Sequence, residues 1–241
     1  LYNAGRGNPR YIVCDRKEFV GWYCDKLKTD PKYAPYFHEV IPDVNRKFII
    51  DIDAKTMPNE ETVKRIYEET IDCIQTAFYL LYEIVLMPNE IMVFSSHGVN
   101  KVSFHFIVKG YCGNNLTTFE FQRNVRSMAT EQLASYIDNS IYKRVQNIRL
   151  CGSMKSFEDA EMRRKRPFES LDINAITPEV VIESLIAYNP GCRVIEDPNA
   201  IKSTGKNDIS PTVIPDSNCE ITNIVLKAAS SWSELKNHKL R

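Results

Sequence analysis

The chain has 241 residues, of which 43% are hydrophobic and 26% charged, as expected of a globular protein with a full core. Its 31 basic and 31 acidic residues cancel, so overall charge does not indicate a nucleic-acid partner. No apolar run is long enough to span a bilayer, and no signal peptide is visible, which argues against a membrane protein. The seven cysteines are dispersed without a Cys-x-x-Cys pair, which predicts a reducing intracellular compartment rather than a disulfide framework or zinc ribbon.

Helices and strands alternate along the chain according to the spacing of its apolar residues. The predicted helices cover residues 16–27, 60–86, 118–136 and 178–188. The predicted strands cover residues 39–41, 46–53, 91–96, 101–109 and 142–150. We expect the first two strands to form one hairpin and the next two a second hairpin. This order predicts an α+β fold, with an antiparallel or mixed sheet and helices packed on one face.

The strand over 46–53 ends in two aspartates, Asp51 and Asp53. Because residues two apart on a strand share a face, their carboxylates lie side by side and repel each other unless a cation lies between them. Carboxylate oxygens suit Mg²⁺ or Mn²⁺. The alternative is a strand that ends in a solvated acidic turn, which is the commoner case for an isolated pair.

The strand over 101–109 carries Lys101, Ser103 and His105 on one face and apolar residues on the other. An ammonium, a hydroxyl and an imidazole form a row of donors of the kind that a triphosphate needs. The alternative is a half-buried strand whose outer face is simply polar.

A third stretch follows the helix over 118–136. Asp138 could be a third metal-binding carboxylate, and Arg149 lies between two apolar residues on an extended segment, so it faces away from their core. Ser153 and Lys155 come after a glycine turn. The basic run Arg163–Arg166 is either a solvated surface or a strip that attracts a nucleic-acid backbone.

In this order, the three stretches resemble the signatures of the archaeo-eukaryotic primase superfamily, which carries Asp-x-Asp/Glu, then Ser-x-His, then a hydrophobic residue and Asp followed by Tyr, Arg-Leu and Ser-x-Lys. The matching residues here are Asp51-Ile52-Asp53, Ser103-Phe104-His105, Ile137-Asp138, Tyr142, Arg149-Leu150 and Ser153-Met154-Lys155. The resemblance covers about residues 37–155. It is closest to the PrimPol and viral branch, which includes herpesvirus primases and the primase–helicases of poxviruses. That branch has a Lys where Lys101 stands, but a Tyr where this chain has His38.

The resemblance implies an RRM-like catalytic core at residues 37–160, preceded by a helical segment at 1–36 and followed by an extension at 161–241 that is partly loop. It implies that Asp51, Asp53 and Asp138 are catalytic and bind two Mg²⁺ or Mn²⁺ ions. The residues expected to hold the incoming NTP or dNTP are Lys101, Ser103, His105, Arg149, Ser153 and Lys155. The implied partners are a single-stranded DNA template and a helicase in a longer chain, of which this chain, starting without Met, is expected to be a fragment.

Two other functions stay open at this point. A metal-dependent nuclease could use the same carboxylates, although it does not need a row of donors for a triphosphate. A non-catalytic nucleic-acid-binding module would bind its partner without a metal ion.

Overall fold

The computed structural model describes residues 2–3, 10–11, 14–30, 33, 35–142, 146–155, 163–170 and 172–196. Five α-helices lie within these residues: α1 Arg16–Thr29, α2 Glu60–Tyr82, α3 Asn115–Met128, α4 Glu131–Tyr136 and α5 Pro178–Glu183. Nine strands lie within them: β1 Tyr2–Asn3, β2 Arg10–Tyr11, β3 Phe37–Ile41, β4 Arg46–Ala54, β5 Ile91–Ser95, β6 Val102–Gly113, β7 Gln146–Arg149, β8 Arg166–Pro167 and β9 Arg193–Val194.

The strands form two sheets, which we call the small sheet and the large sheet. The small sheet has the order β2-β1-β3-β7, and its pairs are antiparallel. The large sheet has the order β4-β6-β5-β8, also antiparallel, and β9 pairs parallel with β6. The predicted α+β fold with antiparallel or mixed sheets is therefore confirmed.

The predicted hairpin of β3 with β4 is wrong. β3 pairs with β1 and β7 in the small sheet, whereas β4 pairs with β6 in the large sheet. The Glu39 carboxylate on β3 accepts hydrogen bonds from the N–H groups of Ile186 and Ala187, at 2.7 and 2.8 Å, which ties β3 to a distant part of the chain. Local sequence shows two neighbouring strands but not that they join different sheets. The second predicted hairpin, β5 with β6, is confirmed.

The helix predicted over residues 118–136 is two helices, α3 and α4. The backbone of Ala129 is extended, which ends α3. The Thr130 hydroxyl then accepts a hydrogen bond from the N–H of Leu133 at 3.2 Å and begins α4 as its N-cap. A Thr in the middle of a helical apolar pattern is therefore a boundary here.

Three other predicted elements are longer than the observed ones. α2 ends at Tyr82 because Glu83 takes the left-handed conformation, with a φ of 56°. α5 ends at Glu183, and the predicted strand over 142–150 shortens to β7. Of the extension predicted at 161–241, residues 197–241 lie outside the described residues. None of the described helices is long and apolar enough to cross a lipid bilayer.

Both faces of the large sheet are covered. On one face, Phe48 of β4 packs edge-to-face against Phe78 of α2 and Phe121 of α3, with ring centroids 5.0 and 5.2 Å apart. On the other face, Ile49 and Ile107 pack in a second cluster with residues of α1, α5 and the small sheet. Helices thus lie on both faces, not on one as the sequence pattern predicted.

The second face of the large sheet carries the polar residues singled out in the sequence. Asp51 and Asp53 continue the alternation of Ile49 along β4, and Ser103 and His105 share the face of Ile107 on β6. This face is turned toward the small sheet rather than toward solvent. As a result, Ser103 is only 5% exposed and His105 only 9% exposed.

Candidate active site

The pairing of β4 with β6 places the aspartates beside the donor row. Asp51 is opposite His105 and Asp53 is opposite Ser103 in the antiparallel register. The Oδ1 atom of Asp51 lies 3.4 Å from Nε2 of His105. The ammonium of Lys101, one residue before β6, forms an ion pair with Asp53 at 2.6 Å. Two stretches that are fifty residues apart in the sequence therefore meet through a single strand pair.

The third aspartate, Asp138, joins the same edge of the large sheet. Its N–H donates to the carbonyl of Asp51 at 2.9 Å, next to an isolated bridge between Ile52 and Ile137. Buried Gln122 of α3 holds this loop by donating to Oδ1 of Asn139 at 2.7 Å. The loop after α4 is thus fixed both to β4 and to α3.

The carboxylate of Asp138 caps the turn that follows it. It accepts hydrogen bonds from the N–H and the hydroxyl of Ser140, at 2.7 and 2.9 Å. The carboxylate of Asp138 also contributes to the raised pKa of Asp51.

Electrostatic interactions among the three acids are unfavourable. Burial first, and then the nearby carboxylates of Asp53 and Asp138, raise the pKa of Asp51 to about 7 against the opposing charges of Lys165 and Lys101. The pKa of His105 is well below its usual value, first because of burial and then because of the cations around it. The imidazole is therefore neutral at pH 7, so its 3.4 Å contact with Asp51 is not an ion pair.

The small sheet and the segment after it contribute further cations. Arg149 of β7 lies opposite His38 of β3 in register. Its guanidinium donates to the hydroxyl of Ser96, at the end of β5, and to the carbonyl of Arg163 at 2.9 Å. It therefore spans from the small sheet to the large sheet.

Lys155 lies near Lys101 and Asp53. Burial and the neighbouring charge of Lys101 lower its pKa, while the charge of Asp53 raises it. Two lysines therefore lie near the carboxylate of Asp53, Lys101 in an ion pair with it and Lys155 beside Lys101. These contacts bring together eight of the nine residues that the sequence analysis selected: Asp51, Asp53, Lys101, Ser103, His105, Asp138, Arg149 and Lys155.

Ser153 is the exception. It is fully buried, and its hydroxyl forms hydrogen bonds with the hydroxyl of Tyr23 at 2.9 Å and the N–H of Phe37 at 3.2 Å. The preceding Gly152 has a φ of +89°, and a Cβ atom there would lie 2.8 Å from the Tyr23 hydroxyl. Ser153 thus supports the turn that carries Lys155, and the structure does not place its hydroxyl among the donors.

The acids fit a divalent cation that takes part of its coordination from a substrate. Within the described residues, no three His, Cys, Asp or Glu side chains are arranged to hold a metal ion by themselves. However, Oδ1 of Asp51 is buried with no hydrogen-bond partner in the described part of the chain, and the carboxylates of Asp53 and Asp138 disfavour its charged form. A cation would relieve both costs, and Mg²⁺ commonly uses one or two carboxylates together with water and substrate phosphates.

Comparison with known proteins gives one informative match. No protein-family model matches the chain. Among curated proteins, the chain is similar to one from African swine fever virus (isolate Pig/Kenya/KEN-50/1950) that is named "Putative helicase/primase complex protein". The two are 29% identical over 162 residues, which covers 60% of this chain. The chain resembles a viral helicase/primase complex protein. It spans only 15% of that viral relative.

Sequence reasoning missed one residue of this site, Lys165. The run Arg163–Arg166 was predicted to be a solvated surface or a nucleic-acid strip, but Lys165 is 2% exposed and its Nζ donates to the carbonyl of Arg149 at 2.9 Å. The guanidinium of Arg164 is also internal, since it donates to the carbonyls of Gly152 and Tyr33. Four consecutive basic residues look alike in the sequence, and only the apolar Phe168 shortly after them signals that the segment packs inside.

Proposed function

We propose that this chain is the catalytic domain of a primase, which joins NTPs or dNTPs on a single-stranded DNA template by two-metal nucleotidyl transfer. The observation that carries the proposal is the pairing of β4 with β6, which places Asp51 and Asp53 beside Lys101, Ser103 and His105. The cleft is the space between the large and small sheets that these side chains and Arg149 border. The similarity to the viral helicase/primase complex protein supports a primase-related role in replication, although it does not bear on the two-metal mechanism.

Asp51, Asp53 and Asp138 are the residues that would hold Mg²⁺ or Mn²⁺. When bound, the metal ions would supply positive charge that offsets the carboxylates and the charge that develops on the phosphates and the attacking hydroxyl. The raised pKa of Asp51 supports this role, because a carboxylate that is unstable alone gains the most from a cation.

The cations of the cleft would bind and orient the triphosphate. Lys101 and Lys155 lie near Asp53, so phosphates that lie against the acids also lie within reach of both ammonium groups. Arg149 approaches from the small sheet with a planar fork that suits phosphate oxygens. Charge stabilisation and positioning by such groups supply most of the catalysis in phosphoryl transfer.

The polar residues of β6 would complete the pocket without adding charge. Ser103 is nearly buried opposite Asp53, where its hydroxyl can donate to a phosphate oxygen. His105 is neutral at pH 7, so it can lie against Asp51 without competing with a metal ion for the carboxylate. Ser153 would reach a phosphate only by leaving Tyr23, so we assign it a supporting role.

Two partners remain part of the proposal. A single-stranded template would lie along the basic run Arg163–Arg166, because a row of cations next to the acids attracts a phosphate backbone. A helicase is proposed as a partner because the viral relative is named as a protein of a helicase/primase complex.

The test is primer synthesis. The chain is incubated with a single-stranded DNA template, labelled NTPs or dNTPs, and Mg²⁺ or Mn²⁺ in turn. We expect products that lengthen with time and are lost when both Asp51→Ala and Asp53→Ala are present. Asp72→Asn, on the exposed face of α2, is the matched control and should retain full activity.

Wild-type rates in the double variant would refute the proposal. Metal-dependent degradation of the template without synthesis would identify a nuclease instead. Template binding that ignores the metal ion and survives Asp138→Ala, with no synthesis, would identify a non-catalytic module.

A further inference from the structure

The segment over residues 163–167 connects the two sheets beside the candidate active site. Gly152, in the turn after β7, donates its N–H to the carbonyl of Lys165 at 2.8 Å, and Lys165 donates its own N–H to the carbonyl of Ser153 at 3.0 Å. One residue later, Arg166 pairs with Ser95 of β5 in the large sheet. The backbone of one short segment is thus hydrogen-bonded to both sides of the cleft.

Residues of this segment contact both the main chain and the guanidinium of Arg149. The main-chain carbonyl of Arg149 accepts a hydrogen bond from Nζ of Lys165 at 2.9 Å. The guanidinium donates to the carbonyl of Arg163 at 2.9 Å and to the hydroxyl of Ser96. Arg149 is therefore fixed by partners that belong to the segment and to the large sheet, although it lies on a strand of the small sheet.

Among the residues that the structure describes, no carboxylate is in hydrogen-bond contact with the buried ammonium of Lys165, although the charges of Asp51 and Glu39 favour its protonated form. Its Nζ donates to a neutral carbonyl and lies 5.1 Å from the centroid of the Phe94 ring. Burial lowers the pKa of Lys165 to about 8, so it still carries its proton for most of the time at pH 7. Burying an ammonium in this way is costly, and an apolar side chain of similar length would fill the space at a lower cost. Packing alone therefore does not account for a lysine at this position.

We propose that Lys165 is a positioning residue, which holds the carbonyl of Arg149 and thereby fixes the Arg149 guanidinium where it meets the phosphates of the incoming nucleotide. This inference rests on the proposed function, since it takes Arg149 to be a nucleotide-binding residue. Lys165 itself is too deeply buried to touch the nucleotide. Its contact with Arg149 is made through the main chain of β7, and its charge also acts on Asp51.

The experiment measures the Kd of dATP and of ATP in the presence of Mn²⁺ for four proteins: the wild type, Lys165→Met, Arg149→Ala and the variant with both changes. We expect Lys165→Met to weaken binding about tenfold, the loss of roughly one hydrogen bond to a charged group. Because Lys165 acts through Arg149, adding Lys165→Met to Arg149→Ala should cause no further loss. Lys64→Met, on an exposed part of α2 with 69% side-chain exposure, is the control and should bind like the wild type.

Two results would overturn the inference while leaving the proposed function intact. One is a Lys165→Met variant that binds nucleotide as tightly as the wild type. The other is full additivity of the two changes, which would show that Lys165 acts independently of Arg149. If the wild type itself fails to bind nucleotide, or Arg149→Ala binds normally, the proposed function fails first.

A second variant covers the case in which Lys165→Met does not fold. Lys165→Arg keeps a cation and a donor at this position, so we expect it to fold and to bind nucleotide within about threefold of the wild type, less than the loss of one hydrogen bond. A folded Lys165→Arg protein whose binding falls as far as that of Arg149→Ala would contradict the role of the carbonyl contact.

Discussion

Asp51 and His105 face each other across β4 and β6, with Oδ1 of the carboxyl group 3.4 Å from Nε2 of the imidazole. Neither group carries its usual charge at this distance, because burial raises the pKa of Asp51 to about 7 and lowers that of His105 well below its usual value. A cation next to Asp51 would lower its pKa and favour the carboxylate, which would then face a neutral imidazole.

The raised pKa of Asp51 predicts a specific dependence of stability on pH. The folded state keeps a proton on Asp51 up to about pH 7, whereas the unfolded state releases it near the ordinary aspartate pKa of 3.8. The stabilisation is therefore complete below about pH 4 and is lost as the pH rises to about 7. We expect the free energy of unfolding of the wild type to fall across this range relative to that of Asp51→Asn, which cannot titrate. Thermal melts in a chelator check this, and parallel pH profiles for the two proteins would contradict it.

Removing either lysine near Asp53 is expected to weaken nucleotide binding. Replacing Lys101 or Lys155 by Met removes one cation from the site, and we expect Kd for dATP with Mn²⁺ to rise about tenfold in each case. Lys109→Met, further along β6 and away from the acids, is the control. Calorimetric titration measures the effect, and unchanged affinity in both site variants would remove the lysines from the proposed phosphate site.

Gln122 predicts a positioning effect on Asp138. Its buried amide donates to Asn139 in the loop that carries Asp138, so Gln122→Met should loosen that loop and lower primer synthesis. The cost in stability should be about 1–3 kcal/mol, since Oδ1 of Asn139 loses its partner.

Gln75→Met is a matched control for this change. Gln75 donates to the carbonyl of Leu86 at 2.8 Å, on α2 and away from the acids. The Gln75→Met variant should be less stable than the wild type but should keep its rate of primer synthesis. Equal activity of the two variants at a temperature where both are folded would show that Gln122 has no part in placing Asp138.

Replacing Ser153 is expected to lower stability without weakening nucleotide binding. Ser153→Ala leaves the N–H of Phe37 without a partner and removes a bond to Tyr23, so the free energy of unfolding should fall by about 1–3 kcal/mol. Nucleotide affinity should stay within about twofold of the wild type, because less than 0.5 kcal/mol is expected for a residue outside the cluster. A large rise in Kd with little change in melting temperature would instead return Ser153 to the phosphate site.

The sequence revealed the acidic part of the site better than the basic part. Asp51 and Asp53 could be placed on one face because the alternation along β4 is local, and the same holds for Ser103 and His105 on β6. The position of Lys165 could not be read, because its burial depends on pairing with a turn and with β5 at once, and a row of four basic residues gives no hint of which one is internal.

The pairing of β3 with β7 was equally invisible, because it joins residues more than one hundred positions apart. Local pattern predicted that β3 would pair with its neighbour in the chain. What decides otherwise is a set of tertiary contacts, including those of Glu39, that no short window of sequence contains.

The contacts of Glu39 also fix the register of β3. Both carboxylate oxygens are engaged by consecutive main-chain N–H groups, those of Ile186 and Ala187. A slip of β3 by one residue would turn Glu39 to the opposite face and leave all three groups unsatisfied. The register between His38 and Arg149 is thereby fixed by a residue outside the candidate active site, so Glu39 indirectly sets where the side chain of Arg149 lies.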